Sequence, residues 1–354
     1  MDKITDNFSD PSGSLAPNFA VDILSDDSAG VTIEEIKIEA AKVVEEAPEE
    51  LKRIRTGEDL MNNKIEQIPC LLEPFFPEVG IVCLAGSSDT GKSMILRQLV
   101  IAVVLGLSDF LGWVLNAKRK SAIVVQTEDD PNAISFCLSR QAKGVKPSDL
   151  RNLRFVFEHE DIKTELDAML TEQPADIVIV DCFGDAYGND LKDTTKIRAY
   201  LNICQSLAMK HQTLFLFLHH TTKRSENFEP NKNNLLAGQG LEAKMRCVVE
   251  LRADPARADH RHWCVVKGNY LASDHKNESY VLAFDEKTFL FSKTDERTPN
   301  EMLAKRPDDG GRAKQETAKA LWNEGKGKTL DEIATIMGYK NRGSVSKLIN
   351  RSFD

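Results

Sequence analysis

The stretch that most restricts what this chain can fold into is Ile81 to Leu99, IVCLAGSSDTGKSMILRQL. An apolar run, a loop bracketed by Gly86 and Gly91, and a helical run opening on Lys92 and Ser93 follow one another with the spacing G-x-x-x-x-G-K-S. Glycines let the N–H groups of such a loop close around a phosphate, a lysine ammonium reaches the β- and γ-phosphates, and a serine hydroxyl ligates Mg²⁺. The helix adds its positive N-terminal end to the same charge. Gly86, Ser87, Ser88, Asp89, Thr90 and Gly91, with Lys92, Ser93 and Met94 at the helix start, are therefore expected around a nucleotide's phosphates. Asp89 is an acid inside this loop, so its side chain is expected to face outward and its N–H inward. A buried strand must enter the loop and a helix must leave it, which makes the surrounding chain α/β.

The rest of the 354-residue chain follows the same pattern. Apolar runs IVCLA (81–85), SAIVVQ (121–126), LRFVFE (153–158), ADIVIVD (175–181) and TLFLFLHH (213–220) alternate with helical stretches at 93–106, 132–143, 161–171 and 194–210. Uniformly apolar strands joined by helices form a parallel sheet covered on both faces, with ligands at the strands' carboxyl ends. VVEL (248–251), HWCVVKG (262–268), SYVLAFD (279–285) and TFLFSK (288–293) lack helices between them and read as antiparallel hairpins extending that sheet. IEQIPCLLEPFFPEVG (65–80), apolar between prolines, reads as a segment laid across a sheet edge.

Charge divides the chain. The net charge is −9, yet residues 1–50 hold thirteen Asp/Glu against three Lys/Arg, and residues 312–354 hold nine Lys/Arg against five Asp/Glu. Residues 1–50 read as a disordered acidic arm with a short amphipathic helix at 32–46, either a partner-binding arm, a mask for a basic surface, or a solvated tail. Residues 51–294 form the α/β domain, 295–311 a linker, and 312–354 a small helical unit. The seven cysteines are scattered without C-x-x-C, which fits small core residues in a reducing cytoplasm better than disulfides or a zinc site. His260, His262 and Cys264 are explained by alternation along one strand. The apolar run Leu99–Leu115 is broken by Ser108 and Asp109 and continues the loop's helix, so no membrane span is expected.

Several polar groups fall at strand ends. Asp181 closes an apolar strand about ninety residues after the loop and suits a Mg²⁺ shell. Cys182 follows it, so the base for hydrolysis must come from elsewhere. Glu128, at the end of SAIVVQTE, is the candidate, with Asp129 and Asp130 as alternatives. His219 and His220 end the next strand. One of the pair is expected to turn inward, and His220 is the choice for sensing the γ-phosphate. The loop 223–237, with Lys223, Arg224 and Lys232, suits nucleic-acid phosphates or is a plain polar loop.

In one order, GSSDTGKS, TEDD, IVIVDCFGD, FLFLHHTTK, GQGLEAKMRCVVEL and VVKGNY resemble the RecA-like ATPases of the plasmid replicative helicase type, the RepA helicases, and more distantly DnaB-type helicases, over about residues 60–295. The HH-x-x-K block, the later Arg246 and K-x-N-Y are the more specific part. The resemblance implies a RecA-like P-loop NTPase core, a hexameric ring with ATP between subunits, ATP and Mg²⁺ as cofactors, and DNA as partner. It implies Lys92 and Ser93 at phosphate and metal, Glu128 as base, Asp181 at metal, His220 as sensor, Arg246 as a finger to a neighbour's γ-phosphate, and Lys267 at the same interface. The chain departs from that pattern at Cys182, where Pro or Thr is usual, and at Gly238-Gln239-Gly240, where Arg-Gly-Ser is usual.

Outside the resemblance, TLDEIATIMGYKNRGSVSKLINR reads as a helix-turn-helix, with helices at 313–324, 329–337 and 342–351 and a capping box at Thr329 and Glu332. Lys340, Asn341, Arg342, Ser344, Ser346, Lys347 and Arg351 suit a DNA groove or a protein contact. The functional expectation is a cytoplasmic, ring-forming ATP hydrolase acting on DNA, a replicative or mobile-element helicase whose acidic arm meets a replication or mobilisation partner. An ATP-switched DNA-binding regulator or loader is the second reading, and a small-molecule P-loop kinase the third.

Overall fold

The computed structural model describes residues 55–157, 161–222, 225–236, 238–304 and 309–350. The acidic arm, its 32–46 helix, Lys223, Arg224 and Arg351 lie outside the described residues. The unit Met1–Glu66 contributes the short helix Gly57–Asn62, closed by a capping box between Thr56 and Asp59. Everything else belongs to the unit Gln67–Asp354.

Among the described residues, nine strands make one sheet: β1 (Gly80–Gly86), β2 (Ala122–Gln126), β3 (Leu153–Val156), β4 (Ile177–Asp181), β5 (Leu214–His220), β6 (Cys247–Ala253), β7 (His260–Gly268), β8 (Glu278–Asp285) and β9 (Leu290–Pro299). Their spatial order is β9-β8-β7-β6-β1-β5-β4-β2-β3. From β6 through β3 all neighbours are parallel, and β6 to β9 are antiparallel. This is the α/β core expected, a mostly parallel sheet with an antiparallel extension.

Burial on both faces explains the unbroken apolar strands. In β1 every residue is buried. Val82 and Leu84 join the core that holds helix α1 (Lys92–Leu105), while Ile81, Cys83 and Ala85 join the opposite core. That second core is closed by α3 (Ile162–Glu172) and α5 (Thr194–His211); α2 (Pro131–Gln141), α4 (Phe183–Tyr187) and α6 (Gly238–Glu242) also belong to the domain. Helix α1 stops at Gly106, left-handed at φ +65°, and the chain turns into a small hairpin at Asp109–Phe110 and Trp113–Val114. Among the described residues no helix is long and apolar enough to cross a membrane.

Two expectations need correction. The segment before β1 does not lie over a sheet edge: Leu71, Leu72, Phe75 and Phe76 are buried in the α1-side core. There the Phe75 ring meets Trp113, Trp263 and Tyr280 at centroid distances of 4.9, 6.0 and 5.7 Å, two of these rings belonging to interior strands. The stretch assigned to a linker from 295 is strand as far as Pro299. As the outermost strand, β9 needs little apolar surface: it buries Phe291 and exposes Asp295 and Glu296.

The C-terminal helices α7 (Asp309–Trp322), α8 (Leu330–Met337) and α9 (Arg342–Ile349) enclose a core of their own, built on Ala318, Ile333, Ala334, Val345 and Ile349. The Thr329–Glu332 capping box forms, Gly338 ends α8 at φ +69°, and Asn341 caps α9 by accepting from the Ser344 amide. The Thr329 and Asn341 caps satisfy amide donors, and the Gly338 amide satisfies carbonyl acceptors, that a short helix leaves unpaired. Lys340, Asn341, Arg342 and Lys347 are exposed.

Candidate active site

Parallel register collects the polar strand ends at one edge. Gly86 pairs with His220 across β1 and β5, and Gln126 pairs with Asp181 across β2 and β4. The phosphate loop, Asp181, Glu128 and His220 therefore emerge together at the carboxyl ends of the parallel strands.

The loop itself is tightly built. A Cβ on Gly86 would stand 2.4 Å from the Leu251 carbonyl oxygen of β6, so only glycine lets the two backbones approach this closely. Gly91 is left-handed at φ +85°, and a Cβ there would meet the Phe291 ring at 2.8 Å. Asp89 is also left-handed, φ +62°, with its side chain exposed, as expected. The Lys92 ammonium and the Thr90 hydroxyl both donate to the Ser87 carbonyl, at 2.7 and 2.9 Å, holding the loop curled. Lys92 is buried, and burial lowers its pKa against the pull of Asp181 and Glu128. The Ser93 hydroxyl bonds to the Asp181 carboxylate, and Ser87, Ser88 and Met94 complete the loop and the first turn.

Asp181 is buried and its carboxyl is raised, chiefly by desolvation. Its Oδ1 is buried without a hydrogen-bond partner in the protein. An orphaned carboxylate oxygen beside a serine hydroxyl fits a bound hard cation, so Ser93 and Asp181 suit Mg²⁺.

The structure separates the three candidate bases. Asp130 caps α2, its Oδ1 accepting from the Asn132 and Ala133 amides at 2.8 Å each. Asp129 faces the Arg97 guanidinium at 3.6 Å. Glu128 stands 3.6 Å from His220 Nε2, both side chains partly open to solvent at 47% and 32%. Thr127 fixes this turn: its amide donates to the Asp181 carbonyl at 2.8 Å, and its hydroxyl accepts from the Cys182 amide at 2.9 Å. His219, by contrast, is 1% exposed and meets the Phe183 ring edge-on at 5.4 Å. The histidine pair thus divides as expected, one into the core and one into the site.

Arg246 and Lys267 are not brought to this site. The Arg246 amide bonds to the Ile81 carbonyl at 2.9 Å, near the start of β1, and its side chain is exposed. Five to six strand residues separate it from Gly86, about 16–20 Å of rise. Lys267 pairs with Val248 at the same far end, and its ammonium holds the Glu242 carboxylate at 3.0 Å. Glu242 also faces Lys232 at 3.6 Å. Lys232 belongs to a loop that is more ordered than its composition suggests: Glu250 of β6 accepts from Asn234 Nδ2 and the Asn231 amide, each at 3.1 Å, and from Arg252 Nε at 2.7 Å. Arg252 donates in turn to the carbonyls of Ser225 and Phe228.

Three supports escaped the sequence reading. Arg97, one turn after Ser93 on α1, is buried, with Nη1 unpartnered beside the Asp181 cavity. Arg261 Nε on β7 donates to the Thr90 carbonyl at 3.0 Å, and Gln98 exchanges two hydrogen bonds with the Phe291 backbone. A lone arginine in the apolar run MILRQLVIAVVL was the available signal for the first; the others span more than 170 residues and leave no local trace.

Residues 46–226, just over half of the chain, match the family described as AAA domain. No curated protein matches the chain. Among solved structures, one described as an ATPase domain aligns with a TM-score of 0.47 at 12% identity, over 76% of this chain and 100% of that one.

Burial pushes the His219 imidazole down from 6.5 to about 4. A lowered histidine contributes stability that is full above pH 6.5 and is lost as pH falls toward 4. The stability advantage of the wild type over His219→Gln, read from urea unfolding, should therefore shrink steadily across that window; a constant difference would contradict the neutral, buried assignment.

Proposed function

The chain belongs to the AAA domain family, a P-loop ATPase family, and from that premise we propose a ring-forming ATP hydrolase that acts on DNA, a RepA-type replicative or mobile-element helicase. The observation that carries the shared-site part is the distance between the phosphate loop and Arg246. A cation exposed at the far end of β1 cannot serve its own loop, which supports a role at a neighbour's. In this reading Lys92 and the loop amides hold the phosphates of ATP, and Ser93 and Asp181 hold Mg²⁺, which neutralises phosphate charge when bound. Glu128 orients and deprotonates the attacking water, with His220 beside it sensing the γ-phosphate. The neighbour's Arg246 offsets charge that develops in the transition state, and Lys267 supports that interface. The loop that follows His220 is tied to β6 through Glu250 and Arg252, a route from the phosphate end to the surface offered to DNA.

A second reading, an ATP-switched DNA-binding regulator or loader, is favoured by one observation. The helices α7–α9 have their own core and present Lys340, Asn341, Arg342 and Lys347 to solvent, as a helix-turn-helix reading the major groove would. A fork-shaped DNA substrate separates the two: ATP-dependent strand displacement supports the helicase, and site-specific duplex binding with slow, DNA-independent turnover supports the switch.

Glu128→Gln should retain ATP binding and lose hydrolysis by about 10²- to 10⁴-fold, measured as phosphate release. Hydrolysis at the wild-type rate would remove Glu128 from the base role. Subunits carrying Arg246→Ala, mixed with subunits carrying Lys92→Ala, should recover turnover that neither has alone, since some seams then pair an intact loop with an intact finger. Inactivity at every mixing ratio would count against the shared site.

A further inference from the structure

Three donor atoms from three different strand ends meet beside the phosphate loop. They are a Glu128 carboxylate oxygen, the Cys182 sulfur and a His220 ring nitrogen, all within 4.8 Å of one another. We propose that Glu128, Cys182 and His220 bind a thiophilic divalent cation of the Zn²⁺ class, and that its binding switches hydrolysis off.

The donor set selects the ion. One thiolate, one imidazole and one carboxylate with an open fourth position suit tetrahedral Zn²⁺, whereas Mg²⁺ takes oxygen ligands and near-octahedral geometry. The site is therefore distinct from the Ser93 and Asp181 pair. Bonds of this class put neighbouring donors about 3.3–3.8 Å apart, so only a modest contraction of the cluster is required. Cys182 is the fixed member: it is 3% exposed, and its amide is held by the Thr127 hydroxyl at 2.9 Å. Glu128 and His220 are the partly exposed members, on the side open to solvent.

The groups that would orient these ligands are present as well. The Cys182 thiol donates to Asp185 Oδ2 at 3.3 Å, and the Thr127 hydroxyl reaches the same oxygen at 3.3 Å. On binding, the S–H bond breaks, a sulfur–metal bond forms, and the proton passes to solvent; no electron is transferred. The switch rests on the proposed base and sensor roles of Glu128 and His220. A cation held by both side chains keeps the carboxylate from water and the imidazole from phosphate. The binding site itself does not depend on those roles.

The 354-residue chain, stripped with a chelator, is titrated with Co²⁺ as the spectroscopic probe. The expected result is a saturable thiolate-to-cobalt charge-transfer band that Cys182→Ser abolishes. Zn²⁺ should compete the band away and bind Cys182→Ser about tenfold or more weakly. In parallel, Zn²⁺ at saturating Mg-ATP should lower wild-type phosphate release. The half-inhibitory concentration should rise by at least the same factor in Cys182→Ser, each variant compared with its own zinc-free rate. No band in the wild type, or an equal band in Cys182→Ser, overturns the site even if Glu128→Gln loses hydrolysis, which leaves the base assignment standing. A Cys182-dependent band with unaltered turnover overturns the switch and points to a base other than Glu128.

Discussion

Everything at the active edge depends on how closely β1 can lie between its neighbours. The strand is buried along its whole length, and at Gly86 its backbone comes within a missing methyl of the Leu251 carbonyl. On the other side the same residue is in register with His220. Because side chains alternate and parallel strands rise together, this one contact sets where the phosphate loop begins relative to the polar ends of β2, β4 and β5. The groups that would bind and cleave a nucleotide are scattered over about 135 residues of sequence, from Gly86 to His220. Strand register alone makes them neighbours.

Burial at that edge is costly and is compensated locally. Lys92 and Asp181 are both buried, and desolvation pushes their pKa values in opposite directions, lysine down and aspartate up. Asp181 pulls the lysine back up and Arg97 pulls the aspartate back down, yet neither shift is fully compensated. The unpartnered Asp181 oxygen and Arg97 nitrogen mark the same shortfall. Titratable groups perturbed by burial beside a specific charge partner are characteristic of functional sites. The loop 225–236 is handled differently: its backbone groups and the Asn234 amide are bonded inward by Glu250 and Arg252, so its position is coupled to β6 rather than left to solvent.

Much of this was legible in the residues, and the exceptions have a common cause. The loop spacing, the doubly buried strands, the helix caps of the C-terminal unit and the division of the two histidines follow from local pattern, because each depends on neighbours in sequence. The partners of the two alternatives to Glu128 did not follow, since Asp130 is held by an α2 cap and Asp129 by Arg97 of α1, a contact remote in sequence. Arg261 and Gln98 brace the loop through backbone atoms far away in the chain, and backbone acceptors carry no residue identity. The strand β9 was cut short because an outer strand can be polar along most of its length. The segment before β1 was misplaced because prolines and aromatics mark a buried wedge as well as an edge cover.

In the proposed shared site, where the phosphate loop of one copy meets Arg246 of the next, their opposite placement has a geometric corollary. Two surfaces that complement each other but are not the same surface can only be joined head to tail. Such a contact repeats with one sense of direction: it closes on itself when the rotation per copy divides a full turn, and otherwise extends as a helix. An assembly formed through these two poles would have two unlike faces, so a strand threaded through it would meet a different surface on entering than on leaving.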